Sequence, residues 1–181
     1  MSNQKPPEKT MSTIKDRVTN LWIKSKAEPV ARRVNQSLAF PITASSIKKV
    51  LVILPRNLNL IDRASLFVQS MRKNYPTWRI ELFDVDKLNK TDLNRMQLPR
   101  PEIVDRLRDA GYHLVVDLND RFDQLSSYIA LMTEAHYRLK LGSDDGLEAM
   151  YYNMAFQLTN PGNGIEYDPL LKYLSKLFIR Q

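Results

Sequence analysis

The sequence predicts an α/β protein: a three-layer, Rossmann-like sandwich built on a short, mostly parallel sheet of about four strands, preceded by a basic N-terminal helical arm. Three observations carry this. The run Val50-Leu51-Val52-Ile53-Leu54 is continuously apolar, as a strand covered on both faces must be. Later strand-like runs alternate with segments whose apolar residues recur at helical spacing. Strands separated by helices of that length pair in parallel through right-handed crossovers.

Taken in order, residues 1–12 form a polar, proline-containing tail with no apolar anchor. Thr13 can cap a helix, with Asp16 three residues on, a weak capping box. Ile14, Val18, Leu21 and Trp22 then share one helical stripe. Pro29 interrupts this helix, and Val30, Val34 and Leu38 continue a second helical pattern until Pro41. Residues 13–40 therefore read as the arm, 41–46 as a linker and 47–181 as a single Rossmann-like domain.

Within that domain, Asn59 can cap a helix carrying Ile61, Ala64, Val68, Met71 and Tyr75, ended by Tyr75-Pro76. Arg79 to Val85 is a second strand. Pro101 suits the first turn of a helix with Val104, Leu107 and Ala110, and Gly111 its left-handed end. His113 to Leu118 is a third strand, and Asp120 or Asp123 can cap a helix through Phe122, Leu125, Ile129 and Met132. Tyr137, Leu139 and Leu141 alternate as a fourth strand. Asp145 then opens a helix through Met150, Met154 and Leu158, the loop TNPGNG follows, and Asp168-Pro169 opens a last helix with Leu170, Leu171, Leu174, Leu177 and Phe178.

Composition narrows the chemistry. The chain has 181 residues, 43% of them apolar and 26% charged, a globular profile. With no cysteine and only His113 and His136, thiolate nucleophiles and Cys/His metal cages are excluded, and no metal is expected. The polar N-terminus has no apolar signal core, and no strand-like run approaches the roughly 20 apolar residues of a membrane span, so a cytoplasmic location is expected. The net charge is +7. Residues 1–49 hold ten Lys/Arg against three acidic residues, so the whole excess lies in the N-terminal part. A basic arm on a neutral body points to an anionic partner.

In such a fold a ligand sits beyond the carboxyl ends of the strands, where the strand order reverses. The crevice then lies between the loops after Leu54 and Leu118, and offers Arg56, Asn57, Asn59, Asn119 and Asp120. Dinucleotide and phosphate loops need glycine so that backbone N–H groups can approach the phosphate. No glycine occurs between Met1 and Ala110, so no dinucleotide or other cofactor is expected. Asp117, at a strand end, can orient a hydroxyl or act as a base, and so can Asp62; capping a loop or helix is the alternative for Asp117.

KKVLVILPRNLNLIDRASLFVQSMRKNYPTWRIELF and YHLVVDLNDRFDQLSSYIALMTEAHYRLKL resemble the acceptor-side N-terminal half of heptosyltransferase-like glycosyltransferases. The shared features are a first strand, a Tyr-Pro after the first helix, and a Y-x-L-V-x-D-L strand. The resemblance implies the fold. It also places that family's catalytic Asp on Leu60 and its turn glycines on Arg56 and Asn59, with Asp62 two positions displaced, and the sequence holds no nucleotide-sugar domain. The chain resembles still more closely a family of small proteins from Bacteroidota-type bacteria with a truncated version of this fold. These resemblances imply a degenerate half-fold that binds rather than transfers. A protein or RNA partner would engage the arm through Lys15, Arg17, Trp22, Lys24, Lys26, Arg32 and Arg33. The alternatives are the acceptor half of a sugar transferase completed by another chain, with Asp62 or Asp117 as base, and attachment to an anionic membrane surface through Trp22 and its lysines.

Overall fold

In the computed structural model, residues 10–35, 38–142, 149–157 and 166–180 are described, with side chains from residue 21 onward. Helix α1 spans Thr10–Val34, followed by β1 (Ile42–Thr43), β2 (Lys49–Ile53), α2 (Ile61–Asn74) and β3 (Arg79–Phe83). Then come α3 (Pro101–Asp109), β4 (Leu114–Asp117), α4 (Gln124–Met132), β5 (Tyr137–Leu141), β6 (Met154–Phe156), α5 (Asp168–Leu177) and β7 (Phe178–Ile179). Five strands form one sheet in the order β3-β2-β4-β5-β6, and every pairing in it is parallel.

The three layers follow from the twofold alternation of strand side chains. Val50 and Val52 of β2, with Leu114 and Val116 of β4, pack on Ala64, Phe67, Val68 and Met71 of α2 and on Leu170 and Leu174 of α5. Leu51, Ile53 and Val115 point the other way, into a second core shared with α1, α3 and α4. Both faces of β2 and β4 are thus covered, which is why these strands are continuously apolar. Each fully buried Leu or Ile contributes roughly 1.5–3 kcal/mol of transfer free energy.

The local signals at several junctions act as anticipated. Pro101 opens α3, Gly111 takes φ +67° just beyond it, and Tyr75 is the C-terminal cap of α2. Asp123 caps α4 by accepting from the Ser126 amide at 2.8 Å.

Other elements differ from expectation. Pro29 does not end the N-terminal helix: α1 continues through it to Val34. Proline removes one donor from the ladder, but Ile23, Ala27 and Ala31, one turn apart, are buried in the second core and hold the helix in place. The stripe is also rotated: Leu21 is 68% exposed, while Ile23 takes the buried position. Leu38 lies beyond the helix and packs, with Phe40, against the first core.

The linker contains a strand. Ile42–Thr43 pairs in parallel with Phe178–Ile179 as a second, two-stranded sheet, so Phe178 belongs to β7 and not to the last helix. Residues 154–156 form a fifth strand beside β5 where the spacing Met150, Met154 predicts a helix. Asp145, Leu158 and the TNPGNG loop lie outside the described residues. Asn59 does not cap α2; Asn57 caps a one-turn 3-10 helix at Leu58–Leu60, and α2 begins after it. Val85 sits in another such turn, past the end of β3.

Candidate functional site: the strand-end crevice and the basic helix

The strand order reverses between β2 and β4, so the loops leaving Ile53 and Asp117 face each other across the switch point. Side chains stitch them together. Asn119 Oδ1 accepts from the Arg56 amide at 2.9 Å, and Asn57 Nδ2 donates to Asp120 Oδ2 at 3.3 Å. The Arg56 guanidinium donates to Asp123 Oδ1 at 2.8 Å and to Asp86 Oδ1 at 2.8 Å. Its hydrogen bonds to Asp123 and Asp86 raise the Arg56 pKa further. Partial burial pushes Asp123 up, but the bonds from Ser126 and Arg56 outweigh it and hold the carboxylate below its ordinary range.

Three amides of the first turn already have acceptors within the fold. Arg56 N–H goes to Asn119, Asn59 N–H to Asn57 Oδ1 at 3.2 Å, and Leu60 N–H to the Asn57 carbonyl at 2.9 Å. A phosphate at these three amides would have to displace their acceptors.

Asp117 is buried, 4% exposed, at the end of β4. It accepts from the Tyr152 hydroxyl, from the Asn119 amide at 3.0 Å and from Asn119 Nδ2 at 2.7 Å. Desolvation raises its pKa to about 6, with these hydrogen bonds working in the opposite direction. Burial first, and then the neighbouring Asp117, push the Tyr152 hydroxyl well above its ordinary pKa. A cavity of about 10 Å³, the space of one water molecule, adjoins Asp117, Ser127, Lys140 and Tyr152.

Beside this network a groove of about 360 Å³ runs between the segment after β3 and the start of α4. Arg56, Asp86 and Asp123 line it together with Leu88, Leu93, Met96 and Leu125. Its volume lies in the range of small-molecule sites. Asp62 stands exposed in the first turn of α2, and Asn59 is exposed on the turn before it.

The structure thus brings Arg56, Asn57, Asn119, Asp120 and Asp117 to one crevice. Sequence reading missed Asp86, Tyr152 and Ser127 there. Asp86 lies just past a strand end, a position that could have marked it. Tyr152 sits in a stretch read as helical, and only the register of β6 carries it to Asp117.

The arm is part of the body and shares its core with residues that line the groove, among them Val85 and Leu98. Ile23, Ala27 and Ala31 are buried in the core shared with α4, with Trp22, Val30 and Val34 packed at its margin. Lys24 and Lys26 are exposed. Arg32 is exposed beside Glu28 at 3.6 Å, and Arg33 pairs with Glu134. The side chains of Lys15 and Arg17 lie outside the described residues. Among the described residues, no helix is long and apolar enough to cross a membrane. Compared with known proteins, the sequence matches no family model and no curated protein.

Proposed function

We propose that this protein is a non-catalytic binding platform whose basic helix engages an anionic partner, with RNA the first to test and an acidic protein surface the second. The carrying observation is the division of labour on α1: Ile23, Ala27 and Ala31 fix it to the body, while Lys24 and Lys26 face outward. Lys24 and Lys26 flank the buried stripe on opposite sides, and cations carried on a packed helix lose little backbone freedom on binding. The missing glycines, the occupied turn amides and Leu60 at the resemblance-implied catalytic position support a binding role over sugar transfer.

Deleting the arm is an unsuitable test, because it would uncover the apolar face of α4 on which Ile23, Ala27 and Ala31 pack. Replacing Lys15, Arg17, Lys24 and Lys26 together by Gln leaves the buried stripe intact. Binding of a short mixed-sequence RNA should weaken with rising salt, by about 0.7 in the log–log slope per phosphate contact on a single strand. The quadruple variant should bind less and show a shallower slope. An unchanged slope refutes the RNA assignment.

A second reading has one observation in its favour: Asp117, with a pKa of about 6, stands at a strand end beside a groove of ligand size. It is the acceptor-binding half of a sugar transferase completed by another chain, with Asp117 or Asp62 as base. Transfer by a reconstituted pair that survives both Asp62→Asn and Asp117→Asn eliminates this reading.

A further inference from the structure

A second cavity, of about 200 Å³, lies away from the crevice, where α2 ends beside the turn after β1. Ala44, Ser45, Asn74, Tyr75, Pro76, Thr77 and Arg180 line it, and none of them is acidic. Tyr75 is 2% exposed, and its ring stacks on Trp78 at 3.9 Å between centroids and 7° between planes. Trp78 is itself fixed, donating its indole N–H to the Ala44 carbonyl at 2.8 Å. The aromatic floor is therefore rigid.

Two features of this floor are unbalanced. The Tyr75 hydroxyl is buried and has no hydrogen-bond partner among the described residues. A buried hydroxyl left unpaired destabilises the fold. The Arg180 guanidinium lies 5.5 Å from the centre of the Tyr75 ring and donates to Asn74 Oδ1, an amide and not a carboxylate. No described carboxylate pairs with Arg180, so it keeps donors for a further acceptor. The hydroxyls of Ser45 and Thr77, which line the same cavity, make no hydrogen bond within the described residues.

We propose that this cavity binds the carboxylate of a small apolar acid. The planar guanidinium of Arg180 meets the carboxylate with two parallel N–H donors. Ser45 and Thr77 supply further hydroxyl donors at the rim. Ala44, Pro76 and the Tyr75 ring cover the apolar part. The α2 C-terminus, whose dipole disfavours an anion, ends here, and the full charge of Arg180 works against that term.

Benzoate is the probe, with benzamide as its uncharged counterpart and inorganic phosphate as the competing anion. The readout is the Trp78 indole N–H resonance, assigned by its persistence in Trp22→Phe. Benzoate should shift it saturably at one site, and benzamide should bind at least tenfold more weakly. Arg180→Met, which keeps the stem and removes the donors, should weaken benzoate at least tenfold. Tyr75→Phe keeps the stack and removes only the buried hydroxyl; it should keep benzoate affinity while leaving the thermal midpoint of the unliganded protein unchanged or raised, and loss of binding in it would overturn the assignment of Arg180 as the anchor. Equal binding of benzamide, full affinity in Arg180→Met, or binding of phosphate without benzoate would each overturn the proposal.

Discussion

The Arg138 guanidinium donates to the side-chain carbonyl of Asn35, joining the core of β5 to the residue that follows α1. Arg138 is fully buried. Its other acceptors are main-chain carbonyls, Tyr151 at 2.9 Å and Ala135. Among the described residues no carboxylate faces it, and burial lowers its pKa to about 10. A buried cation held by dipoles alone is sensitive to each of them. Asn35→Asp should therefore raise the thermal midpoint by adding a charged acceptor. Asn35→Leu should lower it by several degrees, equivalent to about 1–3 kcal/mol. A midpoint lowered by Asn35→Asp would contradict this account.

The arm is expected to behave as core. Ile23→Ala should cost about 2–5 kcal/mol in urea unfolding. Ala27→Leu should cost about 1–3 kcal/mol through overpacking against α4. Lys24→Ala, by contrast, should stay within about 0.5 kcal/mol of the native value. If all three variants unfold at the native midpoint, α1 is not docked in solution.

Asp117 gives the protein a pH signature. Its folded pKa, about 6, lies above the ordinary aspartate value of 3.8. The folded state then holds the proton more tightly than the unfolded chain. The resulting stabilisation is complete below pH 3.8 and is lost as the pH rises through 6. At 1.36 kcal/mol per unit this amounts to about 3 kcal/mol across the window. Asp117→Asn does not titrate, so native stability relative to the variant should decline between pH 4 and 7 in paired urea titrations. A constant difference would mean that the Asp117 carboxyl keeps an ordinary pKa in the folded protein.

Two crevice residues should separate cleanly. Arg56 is half-exposed, and its pairs with Asp86 and Asp123 lie at the surface, where ion pairs contribute about 0–1 kcal/mol. Arg56→Met should therefore barely move the thermal midpoint. Asn119 is buried and serves Asp117 and the Arg56 amide together. Asn119→Ala should cost about 1–3 kcal/mol, visible as a lowered midpoint. The reverse order would mean that the guanidinium, not the amide, ties the two loops.

The strands β2 and β4 were legible because burial on both faces leaves a continuous apolar run, and caps such as Asp123 and Gly111 act locally. The fifth strand was not: Met154–Phe156 is three residues long, and its pairing with Leu139–Leu141 is a long-range property. The buried face of α1 was misjudged because Ala27 and Ala31, which allow close approach to α4, carry a weaker apolar signal than the exposed Leu21. At the crevice, sequence position placed Asp117 and Arg56 correctly beside the switch point, but the Asp117–Tyr152 contact arises only once β6 has joined the sheet.

The pairing of β1 with β7 brings distant parts of the chain together. Ile42 and Phe178 meet only when nearly the whole intervening chain has found its path, so this small sheet closes one very long loop. The entropy of that closure must be met before its few hydrogen bonds return anything. Trp78 at 5.5 Å and Phe40 at 6.1 Å both lie edge-on to Phe178, and this aromatic cluster supplies attraction that offsets the closure. This edge therefore joins residues 42–43 to residues 178–179, far apart in sequence, in one small sheet beside the first core.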